Sequence, residues 1–192
     1  MQMASQVYHI ETAANALCFF RDGEAAYLTR RLDVAPGGSN YQQEDLASLA
    51  GLTKVNGGSD YKYSHLSYEE CAELIRRYTV AASVEVLKFF RIVVFNYLIL
   101  NDDAHLKNFS LINRGDGEYH LAPAYDLTGS DFPSADPWSS HGGLHQMSVC
   151  GKFSGIGEDD LLRVADRFGI GTAAAVLERV RESVAALRAR HS

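Results

Sequence analysis

Two apolar runs, residues 17–20 and 25–32, flank Arg21, Asp22, Gly23 and Glu24. An Asp-Gly pair between apolar runs predicts a β-hairpin, so the chain opens on two strands. Residues 35–40, Ala-Pro-Gly-Gly-Ser-Asn, break regular structure, and a short polar-faced helix is expected from about Gln43 to Leu49, ending near Gly51. After a second flexible stretch at 56–60, Ser67 with Glu70 three positions on forms a capping box that starts a helix running to about Tyr78. The next helix, about 83–100, carries apolar residues on nearly every face, among them Val84, Leu87, Phe90, Val94, Tyr97 and Leu98. That pattern marks a helix at the centre of a domain, with the aromatic side chains of 89–97 in the core. Glu85, Lys88 and Arg91 within it exclude a membrane span.

Downstream, residues 109–112 and 119–121 flank Asn113, Arg114, Gly115, Asp116 and Gly117, which predicts a second hairpin. Residues 129–143, rich in Ser, Gly, Pro and Asp, read as a long loop, and 145–149 as one more strand. The C-terminal third is helical, at 158–168 with acidic residues leading and at 172–190 with Val176, Leu177, Val180, Val184 and Leu187 at helical spacing. The fold class is therefore α+β and mostly helical. No internal repeat or low-complexity tract interrupts it.

Length and charge narrow the function. A chain of 192 residues suits one domain or one large lobe. A net charge of −6 and a pI near 5.6 argue against direct nucleic-acid binding, which favours a basic face. Cys18, Cys71 and Cys150 are widely spaced in apolar or helical surroundings, so they read as buried thiols in a reducing compartment. With no leader-like pattern and no apolar stretch near the roughly 20 residues a bilayer requires, the expected setting is cytoplasmic, away from membrane.

The chemistry concentrates in Asp102, Asp103, Ala104, His105, Leu106, Lys107 and Asn108, followed one hairpin later by Tyr125, Asp126 and Leu127. Phosphoryl transfer needs a carboxylate near the attacking hydroxyl and oxygen ligands for magnesium. Asp103 suits the first role. Asn108 offers a neutral carbonyl oxygen and Asp126 an anionic one from a separate strand end, so the two can bracket one ion. Lys107 carries a cation that would offset charge building during transfer. Each residue alone has a plainer reading: an Asp or Asn after a helix is usually a turn former or cap, and His105 is more often structural than a base. His141 and His145 lack a third ligand and a helix to present them. Trp138, Phe132 and Pro133 suit packing better than docking.

Taken with their flanks, the segments 95–99, 101–111 and 121–127 closely resemble the HipA-like serine/threonine kinases, the toxin kinases of bacterial toxin–antitoxin modules. Residues 26–33, Ala-Tyr-Leu-Thr-Arg-Arg-Leu-Asp, look like that family's strand into the hinge. Gln43-Glu44-Asp45, Tyr61-Lys62-Tyr63 and residues 147–152 resemble further family segments. The resemblance implies a protein-kinase-like large lobe over 35–192, with 1–34 as a remnant of the small-lobe sheet and hinge. It implies ATP and Mg2+ as cofactors, Asp103 as catalytic base, Asn108 and Asp126 as magnesium ligands, and Lys107 as a phosphate contact. Backbone groups of Arg30 and Leu32 would hold the adenine, Asp33 would lie near the ribose, and His105 would orient the loop by hydrogen bonding on the cofactor side. An antitoxin and a protein substrate such as an aminoacyl-tRNA synthetase are the implied partners.

One departure matters. The family's small lobe has a flexible phosphate-binding loop and a strand lysine before the hinge, whereas residues 1–33 hold no lysine and only Gly23 among glycines. Phosphate orientation would suffer, because catalysis of this kind depends on positioning. The expectation is a lobe completed by a separately encoded N-terminal subunit, a truncated form, or a degenerate copy kept for binding. A magnesium-dependent phosphohydrolase using the same acids is a third, weaker class. Exposed apolar surface is expected around the first hairpin.

Overall fold

The computed structural model describes residues 1–63, 66–129 and 147–189. Trp138, Phe132, Pro133, His141 and His145, and most of the long loop predicted at 129–143, lie outside the described residues. The chain begins with α1 (Gln2–Gln6), a short helix that the polar sequence did not announce. It seats Ala4, Tyr8 and Ile10 in the core, with the Tyr8 ring 5.2 Å from that of Phe95. The expected hairpin follows as β1 (Asn15–Phe19) and β2 (Ala25–Thr29), antiparallel, with Asn15 opposite Thr29 and Phe19 opposite Ala25. Gly23 turns it at φ +87°, a conformation open to glycine at little cost.

Next come β3 (Gln42–Asp45), α2 (Leu46–Leu49) and the one-turn α3 (Lys54–Gly57). The helix expected from Gln43 is thus a strand for its first three residues. Backbone pairing with β4 (Ser110–Asn113) overrides local preference there, setting Gln42 against Asn113 and Asp45 against Ser110. β4 also pairs with β5 (His120–Leu121), so the second hairpin forms two strands of a three-stranded sheet in the order β3-β4-β5, with β4 in the middle. Asp45 ends the strand and caps α2 through the Ser48 N–H, 2.9 Å away.

The helical body is α4 (Tyr68–Tyr78), α5 (Ala82–Leu98), α6 (Glu158–Arg167) and α7 (Ala173–Ala189). Ser67 and Glu70 form the expected capping box, the Ser67 N–H reaching Glu70 at 2.7 Å and the Glu70 N–H reaching Ser67 Oγ at 3.2 Å. α5 is the central helix: Phe89, Phe90, Val93, Val94, Phe95, Tyr97 and Leu98 are buried against α4, α7 and the sheet side. Its first turn departs from expectation, since Val84 is 53% exposed. Glu85, buried in the same turn, ties α5 to β5 by accepting the Leu121 N–H at 3.0 Å, with the Lys88 ammonium 3.0 Å from its other oxygen.

Two further corrections concern small features. Cys71 is buried, but Cys18 lies exposed on β1 of the hairpin, whose apolar side chains are themselves exposed, and Cys150 is half-buried in the turn between Val149 and Lys152. The strand expected at 145–149 is not one in its described part: Val149 makes a single bridge to Lys152 around a turn at Cys150 and Gly151. The hairpin is the apolar surface that the sequence pointed to, with Leu17, Phe19, Phe20, Tyr27 and Leu28 all more than half exposed.

Candidate functional site

The loop after α5 is aimed by two buried asparagines. Leu100 takes a left-handed φ of +51°, turning the chain out of the helix. Asn101 then returns its N–H to the Asn96 carbonyl at 2.9 Å and its side-chain amide to Asn96 Oδ1 at 3.0 Å. Asn101 Oδ1 in turn accepts the Asp103 N–H at 3.3 Å. Ala104 and Leu106 anchor the loop in the core, and Leu106, Lys107 and Asn108 form one 3-10 turn. Phe109 closes it, edge-on to Phe89 at 5.1 Å. The loop therefore has a rigid floor of apolar side chains and a polar upper face.

On that face, Asn108 is 8% exposed and joins two segments. Its Oδ1 accepts the His105 N–H at 3.0 Å, and its Nδ2 donates to Asp126 Oδ2 at 2.7 Å. Asp126 arrives from beyond β5 with a φ of +54°, a left-handed conformation that aspartate tolerates better than most residues. Tyr125 holds it there. Its hydroxyl reaches the Lys107 carbonyl at 2.8 Å and lies 2.5 Å from Ser110 Oγ, and burial pushes the phenol up to about 12. Farther along, a Cβ on Gly129 would stand 2.8 Å from the Ile99 carbonyl oxygen, so only glycine lets this segment pass the end of α5.

Asp103 is exposed at the loop's edge, its Oδ1 3.3 Å from the Tyr63 hydroxyl. His105 is buried, with Nε2 2.9 Å from the Lys62 ammonium. Burial and then the Lys62 charge push its imidazole down from the usual histidine value. Lys107 does not stand free: its ammonium pairs with Asp45 Oδ2 at 2.5 Å, and that hydrogen bond pushes the lysine up. The pair edges an open cavity of about 460 Å³ lined by Asp33, Tyr41, Gln43, Asp45, Lys107 and Tyr125 among others.

The predicted residues thus fall into two groups. Asn108 and Asp126 touch directly, with His105 bonded to Asn108 and Asp103 two residues away on the same loop. Asp33 and Lys107 share the cavity. The Arg30 N–H is committed to the Ala14 carbonyl at 2.8 Å, and Arg30 and Leu32 are not part of the cavity lining. Asp33 is held by Arg31 in a two-point contact of 2.9 and 2.5 Å, which keeps its carboxyl below the usual range. Asp45, Lys62, Tyr63, Ser110 and Tyr125 were given no role from sequence. Their one signal was that all five sit in segments with family resemblance.

Asn108 and Asp126 suit magnesium, a hard cation that takes oxygen donors and commonly keeps only one or two protein ligands, completing its shell with water and phosphate. Among the described residues, no group of three or more His, Cys, Asp or Glu is arranged to hold a metal, so a purely protein cage is not available there. Also among the described residues, no helix is long and apolar enough to cross a membrane.

A family model described as HipA-like C-terminal domain matches residues 1–189. The chain belongs to that family. It is 30% identical over 164 residues to "Putative kinase Y4dM" of Sinorhizobium fredii, covering 85% of this chain and 37% of that protein. It is 36% identical over 101 residues to "Putative kinase Y4mE" of the same species, covering 50% and 22%. A "Putative kinase" of Haemophilus influenzae is 31% identical over 106 residues, covering 54% and 31%. The chain therefore spans from about a fifth to just over a third of the curated relatives it matches. Among solved structures, it is similar to a chain of the Shewanella oneidensis MR-1 toxin–antitoxin complex of HipA, HipB and operator DNA. That match has a TM-score of 0.73 and 18% identity over 95% of this chain and 45% of the other. The Helicobacter pylori proinflammatory kinase CtkA matches at a TM-score of 0.52 and 14% identity, over 93% and 72%. At such identities these two matches speak for the fold, a kinase-like α+β lobe.

Proposed function

We propose that this chain is the catalytic lobe of a HipA-like protein serine/threonine kinase, moving the γ-phosphate of ATP-Mg to a protein hydroxyl. The observation that carries the reading is the hydrogen bond from Asn108 Nδ2 to Asp126 Oδ2 at 2.7 Å, which brings an amide and a carboxylate from separate elements together beside the Asp103 loop. In this reading Asn108 and Asp126 hold magnesium, which when bound neutralises phosphate charge. Asp103, exposed and acceptor-only when ionised, takes the proton of the substrate hydroxyl. His105 keeps Asn108 oriented through its N–H. Lys107 meets phosphate by exchanging its partner: the ion pair with Asp45 is partly solvent-exposed, and pairs of that kind contribute little net stability. Asp33, Arg30 and Leu32 form the hinge side, where the ribose and adenine would lie, with the cavity of about 460 Å³ supporting a nucleotide between Asp33 and Lys107.

The lobe works with an ATP-binding lobe carried by a separate N-terminal subunit or by more of a longer chain. The covered fraction of its relatives supports that requirement. The likeness to a chain crystallised with HipB supports an antitoxin as regulatory partner. A cytoplasmic protein substrate, in the pattern of aminoacyl-tRNA synthetases, completes the proposal. The test is phosphate transfer from labelled ATP with and without the product of the adjoining upstream gene. Transfer should appear when both lobes are present and should fall by two to four orders of magnitude in Asp103→Ala, the range of a lost general base. Transfer that survives Asp103→Ala at full rate would overturn the assignment.

A second reading, a non-catalytic module that grips a partner, is favoured by the exposed Leu17, Phe19, Phe20, Tyr27 and Leu28. It predicts complex formation with neither nucleotide binding nor transfer. Phosphate release from a monoester without nucleotide would instead point to the hydrolase class.

A further inference from the structure

The segment before α4 braces the loop from outside, through contacts that none of the roles above uses. Lys62 gives its carbonyl to the Leu106 N–H at 3.1 Å, and its ammonium lies 2.9 Å from His105 Nε2. Tyr63 places its ring edge-on to the His105 ring at 5.1 Å and its hydroxyl 3.3 Å from Asp103 Oδ1. The Lys62 ammonium also sits 4.7 Å from the centre of the Tyr63 ring, so the two side chains are held against each other as well as against the loop. Two consecutive residues thus reach three of the four positions from 103 to 106.

The chemistry of these contacts is directional. A lysine ammonium has three donors and no lone pair, so at 2.9 Å the imidazole Nε2 must accept. An accepting Nε2 puts the ring proton on Nδ1, which is buried and has no hydrogen-bond partner among the described residues. Lys62 therefore selects one neutral tautomer of His105 and fixes the ring plane, and His105 in turn holds Asn108 through its backbone N–H. At the other end of the brace, the phenol O–H of Tyr63 can only donate to a carboxylate. It occupies Oδ1 of Asp103 and leaves Oδ2 to meet a substrate hydroxyl.

We propose that Lys62 and Tyr63 are positioning residues of the phosphotransfer loop, Tyr63 orienting the Asp103 carboxylate and Lys62 fixing the ring of His105, the residue whose backbone N–H holds Asn108. The proposal rests on the reading of Asp103 as the base and of Asn108 as a metal ligand. It extends that reading to a segment some 40 residues upstream, supplying from outside the loop an orientation that the loop backbone alone does not set.

Two measurements on the native protein test it, one free of activity. In nitrogen-15 spectra at a single fixed neutral pH, His105 should show the Nδ1–H tautomer. Lys62→Met should lose that signature and Lys62→Arg, which restores a donor, should recover it. An unchanged His105 signal in Lys62→Met overturns the Lys62 role. In the phosphotransfer assay with the ATP-binding lobe present, Tyr63→Phe and Lys62→Met should each lower kcat by about tenfold to a hundredfold, the effect of a misplaced reacting group. The KM for ATP should stay within about twofold, and Lys62→Arg should regain most of the loss. Wild-type kcat in both variants, or a raised KM at unchanged kcat, overturns the proposal. Tyr63→Phe keeps the ring against His105, so its melting temperature should match the unaltered protein and a change in kcat cannot be assigned to unfolding. Should the unaltered protein transfer no phosphate at all, the kinase reading fails, while the tautomer measurement still decides the brace.

Discussion

Asn108 satisfies two neighbours at once, a backbone N–H on one side and a carboxylate on the other, and it does so while 8% exposed. Removing the amide strands the first of these. In Asn108→Ala the buried His105 N–H loses its acceptor, which costs about 1–3 kcal/mol, while the exposed Asp126 exchanges its amide donor for water. Urea denaturation should show a lower midpoint at unchanged slope, and phosphate transfer should vanish in the same variant. Asn108→Asp should be worse for folding than its similar shape suggests, because a second carboxylate would face Asp126 with no donor between them. Positions 103, 108 and 126 were picked out from sequence by the family resemblance of their flanks, since each alone reads as a turn former or cap. Their supports were not legible. Asp45 reaches Lys107 across 62 positions, and Lys62 and Tyr63 reach the loop across 43 and 40, distances that only the folded chain closes.

Local signals settled those elements whose ends are made by neighbours in sequence. Ser67 and Glu70 announce α4 because each satisfies the other's backbone N–H within four residues. β3 gave no such signal: Gln42, Gln43, Glu44 and Asp45 have neither apolar alternation nor β-branched side chains, and their strand exists because β4 supplies the pairing. The start of α6 shows a further device. Asp160, 3% exposed, accepts the Gly157 N–H at 3.0 Å and the Lys152 ammonium at 2.9 Å, with Arg163 at 3.6 Å. Burial pushes this carboxyl up, but the Gly157, Lys152 and Arg163 contacts outweigh it and hold the group below the usual range. A folded-state value below the unfolded one of about 3.9 means stability that is present at neutral pH and lost as pH falls through the folded value. Asp160→Asn should therefore cost about 1.5–3 kcal/mol at neutral pH, the range for a hydrogen bond to a charged group. The two proteins should converge in acid, and a gap that persists undiminished there would count against the ion contacts.

At the scale of the whole molecule, stability is unevenly distributed. α5 lies at the centre with most side chains past its first turn buried, Arg91 being the exposed exception, so its amides open only when the core does. The β1–β2 hairpin is the opposite case. Its strands pair with each other, while Leu17, Phe19, Phe20, Tyr27 and Leu28 stay more than half exposed. A two-stranded hairpin by itself is marginal in water, and this one is joined to the body through residues just before it, where Thr12 bridges Ala124 and the Glu11 carbonyl accepts the Ala124 N–H at 2.7 Å. Native-state hydrogen exchange on this chain alone should give hairpin amides an opening free energy several kcal/mol below that of α5. Adding the partner lobe should slow exchange at β1 and β2 selectively, because covering an exposed apolar sheet stabilises it by mass action. Hairpin protection already equal to that of α5 in the isolated chain would mean that the sheet needs no further layer, and the case for a lobe completed by a second body would then lose its physical basis.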